Sequence, residues 1–253
     1  MTRILAIVSQ KGGVGKTSLV QNLGAELARA GQHVLLIDFD PQSNLTMGWG
    51  LNPMEERATI YGGMNRPDSI RDCIVPLRPR LDLAPADLDL AGAELAYIHA
   101  IDRNYKLRKA LQPIVADYDV VLVDSPPSLG FFTINALVAA NELILPLQVH
   151  PYAYKAIDQL LSIVEQVREI NPTLRLTGVV LTMYDSRNSL TGAIEEAARR
   201  RFGSLLFEAM IPVNVRIAEA TLDGVSVNEY EAESKGAQAY HALAQEVMHR
   251  GKA

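Results

Sequence analysis

Short, continuous runs of apolar residues recur along the chain and predict buried β-strands. Continuous apolar runs, unlike alternating ones, are typical of parallel strands covered on both faces. The stronger runs cover residues 3–8, 33–38, 119–124, 142–148 and 176–184, and two weaker ones cover 80–85 and 205–212. Helical patterns separate them, including 17–30, 153–170 and 235–248. This alternation predicts an α/β fold: a single doubly wound domain over residues 1–253, with a mostly parallel central sheet flanked by helices.

Residues 50–78 form the least regular part of this pattern. The segments "NRPDS" and "VPLRPR" in this region carry loop signals, so we expect an excursion within the domain and not a boundary. The first strand starts within a few residues of Met1, so we expect no N-terminal helix-turn-helix extension.

Composition narrows the class of protein without identifying it. The chain has 253 residues, of which 48% are hydrophobic, and a formal net charge of -5. This balance is typical of a globular protein and gives no whole-chain signal of nucleic-acid binding, although a local basic patch stays open. Cys73 is the only cysteine, so no intrachain disulfide can form. With no apolar run near the roughly 20 residues of a membrane span, we expect a cytoplasmic protein.

The segment "SQKGGVGKTS" lies between the first predicted strand and the first predicted helix. Glycines allow successive backbone N–H groups to converge on phosphate oxygens, and the following helix adds positive potential. Lys16 is placed to reach the β and γ phosphates of ATP, and the Thr17 hydroxyl to bind Mg²⁺. The predicted ATP-binding residues of this loop are Lys11, Gly12, Gly13, Val14, Gly15, Lys16, Thr17 and Ser18.

Three aspartates follow predicted strands and extend this candidate site. Asp38 and Asp40 end the second strong run, and Asp124 ends the third. Ligand groups in open α/β sheets lie at the carboxyl ends of strands. One of Asp38 and Asp40 could therefore organise the waters of Mg²⁺ while the other orients the attacking water, and Asp124 could hold Mg²⁺ through water. Two prolines after Asp124 require a sharp turn.

The loop and its companion motifs resemble the ParA/MinD family of deviant Walker A ATPases, most closely the short Soj-like partitioning ParA proteins. The matching motifs are "QKGGVGKTS", "VLLIDFDPQSNLT", "YDVVLVDSPPSLGFFTINAL", "GVVLTMYDSR", "IPVNVRIAEA" and "SKGAQAYHALAQEV". The resemblance implies a P-loop ATPase in which Lys11 crosses a dimer interface to the ATP of the other subunit. It assigns water activation to Asp40 and makes Lys11, Lys16 and Asp40 the catalytic set.

The same resemblance implies two further groups of residues. An adenine-contacting loop would contain Pro212, Val213 and Asn214, and contacts to nonspecific duplex DNA would come from Arg187, Arg216 and Lys235. Many relatives have arginine at the position of Val213, and the residue after the Walker B aspartate is usually cysteine, whereas this chain has Ser125.

These features predict a Mg²⁺-dependent ATPase that dimerises on ATP, binds nonspecific DNA and partitions a chromosome or plasmid ParB–DNA complex. The expected partners are a second copy, duplex DNA and a ParB-like or other adaptor, at the nucleoid. A ParA-like ATPase that positions a non-DNA cargo is the alternative. A membrane-cycling MinD-like protein is disfavoured, because the tail "HALAQEVMHRGKA" lacks a bulky apolar face. A cluster-carrying reductase would need more cysteines.

Overall fold

The strands of the computed structural model, which describes residues 2–55, 58–149 and 153–251, form one seven-stranded sheet. They are β1 (Arg3–Ile7), β2 (Val34–Asp38), β3 (Val75–Arg78), β4 (Leu81–Ala84), β5 (Val120–Asp124), β6 (Glu142–Gln148) and β7 (Arg175–Thr182). Their order across the sheet is β3-β4-β2-β5-β1-β6-β7. All neighbours are parallel except β3 and β4, which confirms the predicted fold.

Helices cover both faces of this sheet. In chain order they are α1 (Lys16–Arg29), α2 (Asn44–Gly48), α3 (Ile60–Asn65), α4 (Ala93–Ala96), α5 (Lys106–Leu111), α6 (Phe131–Ala139), α7 (Ala153–Arg168), α8 (Ser189–Phe202), α9 (Val215–Leu222), α10 (Val227–Tyr230) and α11 (Lys235–Arg250). One apolar core lies under α5, α6 and α7, and a second lies under α1 and α11. The two cores explain the continuous apolar strands, because each central strand is covered on both faces.

The strand register brings three carboxyl ends to one edge of the sheet. Ile7 of β1 and Asp38 of β2 both lie beside Asp124 of β5. The loop after β1 and the segments after β2 and β5 therefore start from the same point, at the central strands, where side chains are fully buried. This edge is where an open α/β sheet collects its ligand groups.

The prediction of a strand over 205–212 is wrong. The segment forms only isolated bridges, at Leu206 with β7 and at Pro212 just beyond β7, with the N–H groups of Phe207 and Ile211 donating to carbonyl groups of β7. Between them, the backbone N–H groups of Glu208 and Ala209 donate to the Glu246 carboxylate of α11, at 3.0 and 2.7 Å. The Glu246 side chain has thus taken two donors in the middle of the segment, so no continuous ladder forms.

The segment "VPLRPR", predicted as loop, instead contains the edge strand β3. It pairs antiparallel with β4, and its register shifts between Pro76 and Arg78. Proline has no N–H to donate, but on an edge strand the outer side needs no partner. The proline signal therefore marked an edge position and not the absence of a strand.

Candidate active site

The loop between β1 and α1 is shaped by glycines in the left-handed backbone region. Gly13 has φ 72° and Gly15 has φ 82°, values that L side chains rarely adopt. Gly15 precedes α1, where no side chain caps the helix and the first turn has no acidic residue. The N–H groups at the start of α1 are thus left for another acceptor, and the helix dipole favours an anion there.

A cleft of about 530 Å³ opens over this loop. Its lining comprises Gly12, Gly13, Gly15, Lys16, Thr17 and Ser18 from the loop and α1, with Asp40, Gln42, Asn44, Met47, Gly48, Pro127, Thr221 and Leu222 opposite. The structure thus brings most of the predicted loop residues and Asp40 together. Val14 is the exception within the glycine-rich core of the loop: it is buried on the other side, in contact with the apolar core.

Asp38 lies beneath the cleft, completely buried, and accepts hydrogen bonds from two neighbours, Thr46 and, at 3.3 Å, the backbone N–H of Asp40. The hydroxyl and the backbone N–H of Thr46 donate to its Oδ2, at 2.7 and 2.8 Å. The same hydroxyl accepts a hydrogen bond from the backbone N–H of Ala86 at 3.0 Å. Burial raises the pKa of Asp38 to about 6, and the hydrogen bonds from Thr46 oppose that rise.

Asp124 lies beside Asp38 and is also fully buried. No described residue lies within hydrogen-bond distance of either carboxylate oxygen, although the Thr17 hydroxyl is near enough to lower the pKa of Asp124. Burial and the negative charge of Asp38 both raise the pKa of Asp124. Burial lowers the pKa of Lys16, against the attraction of Asp124 and Asp40. A buried carboxylate pair beside one lysine is short of positive charge, so the site favours a cation.

Lys11 lies outside this cleft. Its Nζ donates to Oε1 of Gln148, the last residue of β6, at 2.6 Å. The two residues border a separate small cavity of about 20 Å³ between the loop, β6 and α7. The two lysines of the loop are therefore separated: Lys16 lines the cleft, and Lys11 is bound at the end of another strand.

The turn after β5 contacts the loop, as expected of two segments that start from adjacent strands. The hydroxyl of buried Ser125 donates to the carbonyl oxygen of Ile7 at 3.1 Å, which ties the end of β5 to the end of β1. Pro127 lines the cleft, and its Cγ is 3.8 Å from the position that a Cβ on Gly12 would occupy. In this chain a serine hydroxyl makes this contact, at the position where relatives usually have cysteine.

The predicted adenine loop lies close to this edge but does not line the cleft. Pro212 pairs with Tyr184 just beyond β7, and Val213 is 62% exposed. The Asn214 side chain caps α9 by accepting from the backbone N–H of Arg216 at 2.8 Å. The cleft wall is formed instead by Thr221 and Leu222, at the C-terminal end of the same helix.

The three predicted DNA-contacting residues lie on neighbouring segments. Arg187 makes two side-chain hydrogen bonds to Asp185, at 2.9 and 2.8 Å, and Arg216 pairs with Glu219 and with Glu231, each at 2.7 Å. Lys235, the first residue of α11, is exposed and forms no ion pair within the described ranges. Each arginine thus faces carboxylates of its own chain.

The first turns of α9 and α11 lie against each other. A Cβ on Gly236 would be 2.9 Å from the Cγ1 of Ile217. The loop that carries Arg187 follows Tyr184, which is hydrogen-bonded to Ile211 and Val213. These contacts place the three cationic residues on one side of the molecule.

Sequence reasoning missed Thr46 and Gln148. Thr46 is part of the motif "VLLIDFDPQSNLT", and Gln148 ends a predicted strand, so the rule that polar groups after strands form sites could have singled out the latter. Their contacts bridge distant parts of the chain and have no periodicity to reveal them.

Comparison with known proteins agrees with this geometry. A family described as "AAA domain" matches residues 2–176. The chromosome partitioning protein ParA of Caulobacter vibrioides is 44% identical over 252 residues, covering 98% of this chain and 94% of that protein. The sporulation initiation inhibitor protein Soj of Bacillus subtilis is 40% identical over 253 residues, covering 99% of this chain and 100% of that protein.

A solved structure is similar over the same extent. It is named cobyrinic acid a,c-diamide synthase from Mycobacterium smegmatis and contains a bound ATP analog and magnesium. It superposes with a TM-score of 0.89 at 35% identity, covering 100% of this chain and 96% of that one. The sequence relatives are named as partitioning and sporulation proteins, whereas this structure is named as a synthase, so the names alone do not define the reaction of this chain.

Proposed function

Because this chain belongs to the ParA/MinD family of deviant Walker A ATPases, we propose that it is a nucleotide-switched partitioning protein. The chain is a ParA-like ATPase. In our proposal, one ATPase domain over residues 1–253 dimerises on ATP, binds duplex DNA without sequence preference and moves a ParB–DNA complex over the nucleoid. The observation that carries it is the cleft that joins Lys16 and Asp40, with Lys11 outside.

The cleft suits the triphosphate of ATP. The uncapped start of α1 and the left-handed Gly13 and Gly15 offer backbone N–H groups, and Lys16 contributes an ammonium group to the cleft wall. Pro212 to Asn214, which lie beyond the cleft lining at the start of α9, would contact the base, while Thr221 and Leu222 form the cleft wall itself.

The site also suits Mg²⁺ bound with the nucleotide. The two oxygens of Asp124 have no donor among the described residues, so a hydrated cation above them would supply the missing partners. No cluster of three His, Cys, Asp or Glu residues that could hold a metal directly occurs in the described part of the chain. We therefore assign the direct contact to Thr17, with Asp38 and Asp124 acting through water. Bound there, Mg²⁺ would neutralise phosphate charge.

In this proposal, Asp40 orients the attacking water. It is 6% exposed and lines the cleft, whereas Asp38 and Asp124 are fully buried beneath it. Its Oδ1 accepts the backbone N–H of Gln42 at 2.9 Å, which fixes the carboxylate at the cleft wall. Lys16 would stabilise the charge that develops on the transferred phosphoryl group.

DNA binding by this face requires an exchange of partners. Arg187 and Arg216 are held by carboxylates, so a DNA phosphate has to replace Asp185, Glu219 or Glu231. Such sites are weak one at a time, and a dimer doubles the number of phosphate contacts. ATP-dependent dimerisation would in this way switch DNA binding on.

Two alternatives lead to different partners. A non-DNA cargo would use the same ATPase and DNA face with another adaptor. A membrane-cycling protein would use the last helix as an anchor, but the apolar face of α11 is buried in the core through Tyr240, Leu243 and Val247. None of the described helices is long and apolar enough to cross a bilayer.

The test combines hydrolysis with DNA binding. Phosphate release should fall at least ~100-fold in Asp40→Ala while ATP binding persists, since the nucleophile loses its orienting base. With ATP and Mg²⁺, the wild type should retain duplex DNA of unrelated sequences at low salt and release it at high salt.

Charge reversal supplies the control. Arg216→Glu should abolish DNA retention, whereas Arg71→Glu should leave it intact, because Arg71 is also an exposed, ion-paired arginine but pairs with Asp117 just before β5, at the amino ends of the strands. Retention that ignores salt, or that both variants lose alike, would contradict the DNA-binding proposal. Hydrolysis unchanged in Asp40→Ala would contradict the assignment of the base.

A further inference from the structure

The contact between Lys11 and Gln148 joins the loop to the end of β6. Its length, 2.6 Å from Nζ to Oε1, is that of a charge-assisted hydrogen bond. The backbone of Gln148 is held in the sheet, because it pairs with Thr182 in the ladder between β6 and β7. The amide oxygen is thus presented to the ammonium by a rigid element of the sheet.

The surroundings offer the ammonium little else. The cavity beside it is lined mainly by the apolar residues Val8, Val14, Leu145, Leu147, Ile157 and Leu160. No carboxylate pairs with Lys11 within the described residues. In a half-buried, largely apolar setting, one hydrogen bond to a charged group is stronger than at an exposed site.

We propose that Gln148 holds the Lys11 ammonium in the resting subunit, and that breaking this contact is a step of ATP-dependent dimerisation. The inference rests on the proposed function, in which Lys11 crosses to the phosphates of the partner. An ammonium that is bonded to its own β6 is unavailable to the other subunit. Each dimer needs two such releases, so the contact enters the dimerisation equilibrium twice.

Two substitutions at Gln148 are expected to act in opposite directions. Gln148→Met keeps the length of the side chain but removes the acceptor, so Lys11 is released in advance and dimerisation strengthens. Gln148→Glu replaces a neutral acceptor by a carboxylate, which holds the ammonium more tightly and weakens dimerisation. The loss of one hydrogen bond to a charged group changes an equilibrium constant by a factor of roughly ten. Because both subunits lose the bond, the dimerisation constant should change roughly a hundredfold.

The experiment is sedimentation of the full chain with a non-hydrolysable ATP analogue and Mg²⁺ over a series of protein concentrations. Gln112→Met and Gln112→Glu are matched controls, because Gln112 is exposed and lies after α5, away from the loop. Affinity for ADP should be unchanged in all variants, because Gln148 does not line the nucleotide cleft.

A second measurement needs no dimer. In the nucleotide-free protein, the rate at which an amine-reactive ester acylates Lys11, followed by mass spectrometry, should rise in Gln148→Met and fall in Gln148→Glu. A merely structural role for Gln148 would not give opposite signs in either measurement.

The possible outcomes distinguish a failure of the proposed function from a failure of the role of Gln148. A wild type that stays monomeric with the ATP analogue overturns the proposed function itself. A wild type that dimerises, with both Gln148 variants unchanged or both weakened alike, overturns only the holding role of Gln148. Opposite shifts in dimerisation and in Lys11 reactivity support it.

Discussion

The Thr46 hydroxyl stabilises Asp38, one of the two buried carboxylates under the cleft, and this role can be tested with a single substitution. Thr46→Val keeps the shape of this fully buried side chain and removes one oxygen. That oxygen donates to Asp38 Oδ2 at 2.7 Å and accepts from the N–H of Ala86 at 3.0 Å. The substitution therefore weakens the hold on a buried carboxylate and leaves a buried N–H without its partner.

The lost hydrogen bond to Asp38 and the unpaired N–H of Ala86 should together lower the free energy of unfolding strongly. A hydrogen bond to an ionised group contributes about 1.5–3 kcal/mol, and an unpaired buried N–H costs about 1–3 kcal/mol. With the second donor to Asp38, the backbone N–H of Thr46, still in place, we expect the free energy of unfolding to fall by about 3–4 kcal/mol at pH 8, without nucleotide or Mg²⁺.

The loss should depend on pH. The pKa of Asp38 is raised from 3.8 to about 6 in the folded protein. A raised carboxyl pKa contributes stability that is fully present below pH 3.8 and disappears as the pH rises through about 6. Thr46→Val removes a donor to the ionised form and raises this pKa further, so its cost is larger at pH 8 than at pH 5, by about 1 kcal/mol.

Urea unfolding at the two pH values measures both numbers. Thr182→Val is the matched control, because the Thr182 hydroxyl is buried and has no hydrogen-bond partner in the described chain. Its removal should leave stability unchanged or slightly higher. A loss below about 1 kcal/mol for Thr46→Val at pH 8, or an equal loss at both pH values, would refute the role of Thr46.

Further substitutions test separate features. Gly15→Ala forces a Cβ into a left-handed backbone at φ 82°, so the free energy of unfolding in urea should fall by about 1–2 kcal/mol and the affinity for ATP should also fall. Gly62→Ala is the control, because a Cβ there enters open space within α3 and should not destabilise the protein. Ser125→Ala removes the bond to Ile7 and should lower unfolding free energy by about 1 kcal/mol, with Ser125→Cys less affected; equal effects would contradict the hydroxyl's role. Arg216→Ala should leave the urea midpoint unchanged while reducing the salt slope of DNA binding by about two per dimer; an unchanged slope would exclude a phosphate contact.

The sequence predicted what is local. The central strands and the loop with Gly13 and Gly15 were predictable because apolar runs and glycines act within a few residues of their own position. The strand ends then placed Asp38 and Asp124 at one edge, through a topological rule that needs no side-chain contact. The position of the candidate site at this edge of the sheet was therefore predictable from the sequence.

Contacts between distant segments were not predictable in this way. Nothing in the apolar pattern shows that the Thr46 hydroxyl meets the N–H of Ala86, or that Lys11 reaches Gln148. The strand expected over 205–212 failed for the same reason, because two donors in its middle are taken by Glu246 from the last helix. Pro76 misled in the opposite direction, since the strand that contains it lies at an edge.

The position of β1 in the sheet also sets an order of events during synthesis. The strand leaves the ribosome first, yet both of its neighbours come much later, since Arg3 pairs with Val120 and Leu5 with Glu142. The phosphate loop is therefore made before both neighbours of β1 and has no sheet to support it until β5, at Val120–Asp124, has been made. ATP cannot assist the early nascent chain, and a truncated product that ends before β5 should not bind it.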